Sequence, residues 1–303
     1  MKLSTNLYYF VLHRLKRPSK RYLTISSTGC TFYDSSKKVV SGKTSAPKIL
    51  DNIIRSKMVT KNLAIFDFDY TVVSKNTDTE VLELLTTDIP EEIEEIRETN
   101  CWTIFMGEAF KLLYKDKIDK TSIHKTIIEI PETKGMCKLF RALHNDLNYD
   151  IIIISDSNSI FIKDWLEAHA LTGCVKEVFT NPAHYDDNGL LLIEPYQYQF
   201  ECKLCSRNLC KGAVMKKYIE SAEKLGTEYV RVIYAGDGSN DFCPMIKLRA
   251  ADVAFPRLGF KIMNRIEKNK DDPELTVKAV LKPWTDGCDI LKTVRELEEF
   301  SCV

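Results

Sequence analysis

No stretch of the 303-residue chain stays apolar for the roughly 18–20 positions that a membrane-spanning helix needs. The apolar segment Leu7–Leu12 is shorter than the ~7–15-residue core of a secretory signal and leads to no small-residue cleavage site. There is no internal repeat and no low-complexity tract, which sets aside solenoid and fibrous architectures. Ten cysteines are scattered along a chain without a signal, so reduced thiols fit better than a disulfide framework. A cytoplasmic protein without a membrane partner is the expectation. Its oligomeric state is not readable from the sequence.

Acidic residues are almost missing from the first 60 positions. Twelve Lys/Arg stand there against Asp34 and Asp51 alone, so the segment carries +10 and the remainder −10. Residues 1–60 therefore read as a flexible basic extension, with three readings open. It could be a mitochondrial presequence, a tail for an acidic partner or nucleic acid, or sequence upstream of a start at Met58. A nucleic-acid role for the whole chain is poorly supported, because the basic charge lies outside the folded part and the rest is acidic.

What is present is an ordinary globular composition, 44% hydrophobic and 28% charged, with room for one large domain or one domain carrying an insertion. Leu63 to Thr71 reads LAIFDFDYT. An apolar run bounded by polar residues is a buried strand of a parallel sheet, and ligands bind at the carboxyl ends of such strands. Asp67 and Asp69 there have little positive charge beside them in sequence. An isolated pair of this kind also reads as a solvated turn, but it equally invites a divalent cation and nucleophilic plus acid/base chemistry.

Helical patterning follows. Thr77-Asp-Thr-Glu80 reads as a capping box, Pro90 opens an acidic helix, and Trp102, Phe105, Met106, Ala109, Phe110 and Leu113 form an apolar stripe of bundle-core type. A further helix runs to Pro131. Residues 75–131 thus read as a small all-helical cap inserted in a domain spanning 61–303. Strands are expected at 149–154, 178–179, 229–235 and 252–255, alternating with helices. The fold class is α/β, a doubly wound, Rossmann-like parallel sheet with the cap after its first strand.

Four polar clusters then fall at strand ends or helix starts: Asp67/Asp69, Ser155, Lys211, and Gly236-Asp237 through Asp241. Converged on one sheet edge, Asp67, Asp69 and Asp237 make an oxygen-rich site suited to Mg²⁺. Ser155, placed at a helix start, and Lys211 suit a phosphate, and Gly236 and Gly238 would let the backbone turn sharply. The chemistry implied is displacement at phosphorus by a carboxylate.

Together these residues resemble the four motifs of the haloacid-dehalogenase-like phosphatases. IIIISDSNS, FTNP, CxxCxxxxCK and YAGDGSNDFCP resemble the branch of phosphoethanolamine/phosphocholine and pyridoxal-phosphate phosphatases, and WTIFMGEAFKLL and FIKDW favour its pyridoxal-phosphate members. The likeness covers about residues 61–295. It implies Asp67 as nucleophile and Asp69 as acid/base. It also implies Mg²⁺ on Asp67, the Asp69 main-chain carbonyl and Asp237. Ser155 and Lys211 would hold the phosphoryl group, with Asp241 orienting Lys211 or a metal-bound water. Asp78 and Asp156 match positions associated with substrate binding, although alone they read as a helix-start residue and a first-turn charge. The implied partner is a small phosphorylated metabolite, pyridoxal 5′-phosphate first, phosphoethanolamine or phosphocholine next. The non-enzymatic alternative is a phosphoryl-accepting signalling module, which a second acid at Asp69 argues against.

Cys202, Cys205 and Cys210 could offer three thiolates to zinc. No fourth ligand is evident nearby: His184 is distant, and Gln197 and Gln199 stand where a histidine would serve. Free or redox-active thiols are the favoured reading.

Overall fold

The computed structural model describes residues 21–26, 29–34, 58–98 and 102–301. The chain forms two compact units, Met1–Val59 and Thr60–Val303. In the first, β1 (Arg21–Ser26) and β2 (Gly29–Asp34) pair antiparallel, Arg21 opposite Asp34 and Ser26 opposite Gly29. Sequence reading placed no strand there. The flexibility expected of residues 1–60 otherwise falls outside the described residues.

The second unit is built on β3 (Val59–Phe66), β4 (Tyr149–Asn158), β5 (Glu177–Asn181), β8 (Thr227–Gly236), β9 (Val253–Pro256) and β10 (Val280–Leu281), in the order β10-β9-β8-β3-β4-β5. The strand order reverses at β3, where the chain leaves first toward β4 and returns later to β8. A crevice opens at such a switch point beyond the carboxyl ends of the strands.

The unbroken apolar runs of β3 and β4 follow from burial on both faces. Ala64, Phe66, Ile151 and Ile153 join one core, and Leu63, Ile65, Ile152 and Ile154 the other. Alternate side chains of a strand point to opposite faces, so neither face tolerates polar residues. The first core is closed by Leu139 and Phe140 of α5 (Met136–Arg141), Trp165 of α6 (Ser159–Ala168) and Ile290 and Val294 of α10 (Gly287–Ser301). The second is closed by Val214 and Met215 of α7 (Lys211–Lys224), Phe242 and Met245 of α8 (Phe242–Ile246) and Ile262 of α9 (Lys261–Lys268). Each such side chain contributes about 1.5–3 kcal/mol on burial.

Between β3 and β4 lie α1 (Thr77–Leu82), α2 (Glu91–Glu98), α3 (Trp102–Lys115) and α4 (Lys120–Glu129), followed by α5. Phe105, Met106, Ala109, Phe110 and Leu113 of α3 are buried, as the stripe required. A hairpin of β6 (Ala183–Tyr185) and β7 (Leu191–Ile193) follows β5, and Ile193 packs on the same core as α3. No helix among the described residues is long and apolar enough to cross a membrane.

Two local expectations need correction. The helix cap is Asn76, whose side chain accepts the Thr79 N–H, and not the Thr77–Glu80 box. Thr77 is turned inward instead, its Oγ1 2.8 Å from Ser157 Oγ. Ser155 is not at a helix start either. The pairing of β4 with β5 shifts register between Ile154 and Asn158, so the strand runs on through Ser155 and Asn158 caps α6.

Candidate active site

Asp67 directly follows β3, and its N–H donates to Ala235 O of β8 at 3.0 Å, which sets the carboxylate over the switch point. The next residues turn tightly, with the N–H groups of Thr71, Val72 and Val73 all donating to Phe68 O. Tyr70 takes a left-handed backbone with φ 53°, a conformation that costs a non-glycine residue roughly 1–2 kcal/mol. Strain of this kind clusters where function fixes the backbone.

Asp237 follows β8 in the same way. Its Oδ1 lies 3.4 Å from Thr71 Oγ1, at the limit of a hydrogen bond. Asp241 ends a short 3₁₀ turn, Ser239–Asp241, and accepts from Tyr234 Oη at 2.7 Å and from Gly238 N–H at 2.8 Å. Lys211, the first residue of α7, is fully buried, with Nζ 2.8 Å from Asp67 Oδ1 and 2.9 Å from Asp241 Oδ1. One carboxylate oxygen from each of Asp67, Asp237 and Asp241 lies within 4.8 Å of the other two. Gly236 belongs to this packing: a Cβ there would stand 2.3 Å from Asp241 Cγ. Neither Gly236 nor Gly238 has a positive φ, so close approach and not a sharp turn explains them.

Burial and crowding of like charges dominate the electrostatics. Desolvation, then Asp241, push the Asp67 carboxyl well above its usual range, and Lys211 opposes them. Burial and Asp241 likewise raise Asp237 to about 7, against Lys211 and Arg257. Burial lowers the Lys211 pKa, but Asp241 and Asp67 outweigh it and hold the ammonium charged, above the usual lysine value. Three clustered carboxyl groups share one buried ammonium, and their mutual repulsion disfavours ionising all of them at once.

The Asp69 carboxylate is held by other partners than this cluster. Its oxygens accept from Thr77 N–H at 2.9 Å and Asn76 Nδ2 at 3.3 Å, while burial and then Asp78 raise it to about 7. Asp78, buried on α1, accepts from Trp102 Nε1 at 2.6 Å, and its Oδ1 has no hydrogen-bond partner among the described residues. Burial raises it to about 6, against the Trp102 bond. Asp156 accepts from Asn240 Nδ2 at 2.7 Å and Asn208 Nδ2 at 3.3 Å. Burial raises it too, although Lys211 pulls the other way. Ser155 Oγ accepts from Ser157 N–H at 3.2 Å; no hydrogen bond among the described residues joins it to Lys211.

Sequence reading missed Trp102, Tyr234, Asn208 and Asn240. Trp102 carried a signal that pointed elsewhere, since it fits the helical spacing of the core stripe. Asn240 lies inside the GDGSND run and was legible as a polar strand-end residue.

A family model described as Putative Phosphatase matches residues 62–297, the span that holds every one of these side chains. The chain belongs to this family of haloacid-dehalogenase-like phosphatases. It is 36% identical over 240 residues to the pyridoxal phosphate phosphatase PHOSPHO2 of Mus musculus, covering 78% of this chain and 98% of that protein. To the Homo sapiens protein of the same name it is 36% identical over 243 residues, covering 78% and 98%. It is 29% identical over 230 residues to the phosphoethanolamine/phosphocholine phosphatase of Homo sapiens, covering 75% and 86%. The chain is thus a phosphatase, an enzyme.

Proposed function

We propose that the protein is a Mg²⁺-dependent phosphomonoester hydrolase that works through an aspartyl-phosphate and takes pyridoxal 5′-phosphate as its substrate. The observation that carries the reading is the buried Lys211 ammonium bridging Asp67 and Asp241 beside Asp237. A donor set made only of oxygens fits a hard divalent cation, whose charge would also offset the mutual repulsion of the clustered carboxyl groups. Asp67, Asp237 and the Asp69 main-chain carbonyl would hold Mg²⁺, which would supply charge to neutralise the carboxylates and the phosphoryl oxygens.

In the first step an Asp67 oxygen bonds to phosphorus and the ester P–O bond breaks. Asp69 gives its proton to the departing alkoxide; a carboxyl raised to about 7 holds that proton near neutrality. In the second step Asp69 takes a proton from water, whose oxygen attacks phosphorus. The Asp67–phosphorus bond breaks and inorganic phosphate leaves. Lys211 and Ser155 bind the phosphoryl oxygens, and Asp241 fixes Lys211. Helices α1 to α4 act as a cap that excludes bulk water and shapes the substrate space.

Asp78 and Asp156 serve the leaving group. The buried, unpartnered Oδ1 of Asp78 supports a ligand that brings its own donor. That feature also favours a second reading, since an ammonium or choline headgroup offers positive charge to the same carboxylates. A screen of phosphorylated metabolites with Mg²⁺ decides between them. The first reading requires the highest kcat/KM on pyridoxal 5′-phosphate. Faster turnover of phosphoethanolamine or phosphocholine favours the second, and no phosphate release from any of them sinks both.

A further inference from the structure

A second group of metal-ligating side chains stands apart from the carboxylates. Cys202, Cys205 and Cys210 belong to the segment 194–210, which carries neither helix nor strand and links β7 to α7. Cys243 is on α8. One sulfur from each lies within 4.8 Å of the other three, and none is in a disulfide. Cys243 Sγ is 3.6 Å from Cys202 Sγ and 3.9 Å from Cys210 Sγ. A tetrahedron with zinc–sulfur bonds of about 2.3 Å has edges of about 3.8 Å. The two separations straddle that value and are far beyond a sulfur–sulfur bond, about 2.05 Å.

We propose that Cys202, Cys205, Cys210 and Cys243 bind one Zn²⁺ as a closed tetrathiolate site that pins the 194–210 segment to α8. The fourth ligand, absent from the local sequence, comes from the far side of β8. Soft thiolates select zinc over the hard cation of the carboxylate site, and four protein ligands leave no open position for catalysis. On binding, the thiols release their protons to solvent.

The surroundings are built for such a site. Gln199 is no ligand; it staples the segment, its Oε1 accepting Cys202 N–H at 2.9 Å while its Nε2 donates to Ser206 O at 2.7 Å. The backbone of α7 abuts the sulfurs, since a Cβ on Gly212 would stand 2.7 Å from Cys243 Sγ and 3.0 Å from Lys247 Nζ. That ammonium offsets part of the negative charge of a tetrathiolate. A linker of this length without regular structure is uncommon in a compact domain, and a metal staple supplies the order that it cannot draw from a core of its own. Its last cysteine directly precedes Lys211, and Cys243 lies two residues after Asp241.

The test is metal analysis of the full chain purified from zinc-replete cells. About one zinc per chain is expected, falling at least fivefold in Cys202→Ser and Cys243→Ser and unchanged in Cys288→Ser, an exposed cysteine outside the cluster. Should the serine variants fail to fold, wild-type protein grown with cobalt decides the matter, because tetrathiolate cobalt shows sulfur-to-metal charge transfer and intense d–d bands. Zinc-free wild-type protein without those bands, iron in place of zinc, or full zinc in folded Cys243→Ser would overturn the proposal. None of these measurements uses turnover, so their failure and that of the phosphatase mechanism are separable.

Discussion

Lys211 Nζ stands 2.8 Å from Asp67 Oδ1, with Lys211 fully buried and Asp67 nearly so, and the ammonium has Asp67 and Asp241 as its only ion-pair partners among the described residues. Asp67→Asn keeps an acceptor for the ammonium and should fold. It should lose the nucleophile, and turnover of pyridoxal 5′-phosphate should fall roughly 10⁴-fold or more. Circular dichroism together with phosphate release checks both halves. Lys211→Met is the contrasting variant: it strands two carboxylates, and denaturant melts should show a loss of about 3–5 kcal/mol.

Removing metal should stop the reaction, and added Mg²⁺ should restore it. Asp237→Asn subtracts one carboxylate from the oxygen cluster, so the Mg²⁺ concentration for half-maximal rate should rise at least about 10-fold. An unchanged Mg²⁺ requirement would remove Asp237 from the metal site.

Gly236→Ala should cripple the site without replacing any charged residue. The added methyl would meet Asp241 Cγ at 2.3 Å, so Asp241 must shift away from Lys211 and Tyr234. Overpacking of this kind costs about 1–3 kcal/mol, and a fall in both melting temperature and kcat is expected.

Trp102→Phe keeps the ring but removes the donor to Asp78. A buried acceptor left without its partner costs about 1–3 kcal/mol. If Asp78 serves the leaving group, KM should also rise, whereas a change in stability alone would return Trp102 to a purely structural role.

Far from the site, Asp150 is buried on β4 and accepts from Lys176 at 2.5 Å, Lys61 at 2.7 Å and Tyr229 Oη at 2.7 Å. Burial raises its pKa, but these bonds win and hold it below the ordinary carboxylate value. The carboxylate therefore adds stability above its unfolded value of about 3.9, and that contribution is lost as pH falls through the lower folded value. Asp150→Asn should cost about 1–3 kcal/mol near neutrality. The gap from wild type should narrow in urea melts taken below about pH 4.

Where periodicity and burial agree, the sheet was legible from the residues: LAIF and YDIIII, short apolar runs bounded by polar residues, read as strands covered on both sides. The convergence of Asp67 and Asp237 was legible for the same reason, since parallel strands deliver their carboxyl ends to one edge, whereas Lys211 joins them from a helix start. Residues whose role depends on a neighbour distant in sequence were not. Trp102 obeys core spacing and yet turns its indole N–H to Asp78. The register shift that keeps Ser155 in β4 leaves no mark in composition. Cys243 lies 33 residues beyond Cys210, and only the fold brings their sulfurs together.

Both Asp156 oxygens are already engaged, one by Asn240 of the 3₁₀ turn and one by Asn208 of the 194–210 segment. A ligand that binds Asp156, as proposed, would compete with neutral donors for these oxygens. A charge-assisted bond is roughly twice as strong as a neutral one, so cations can win that exchange where hydroxyls fail. Discrimination at this corner would then arise from competition against the protein's own amides, with no change of shape required.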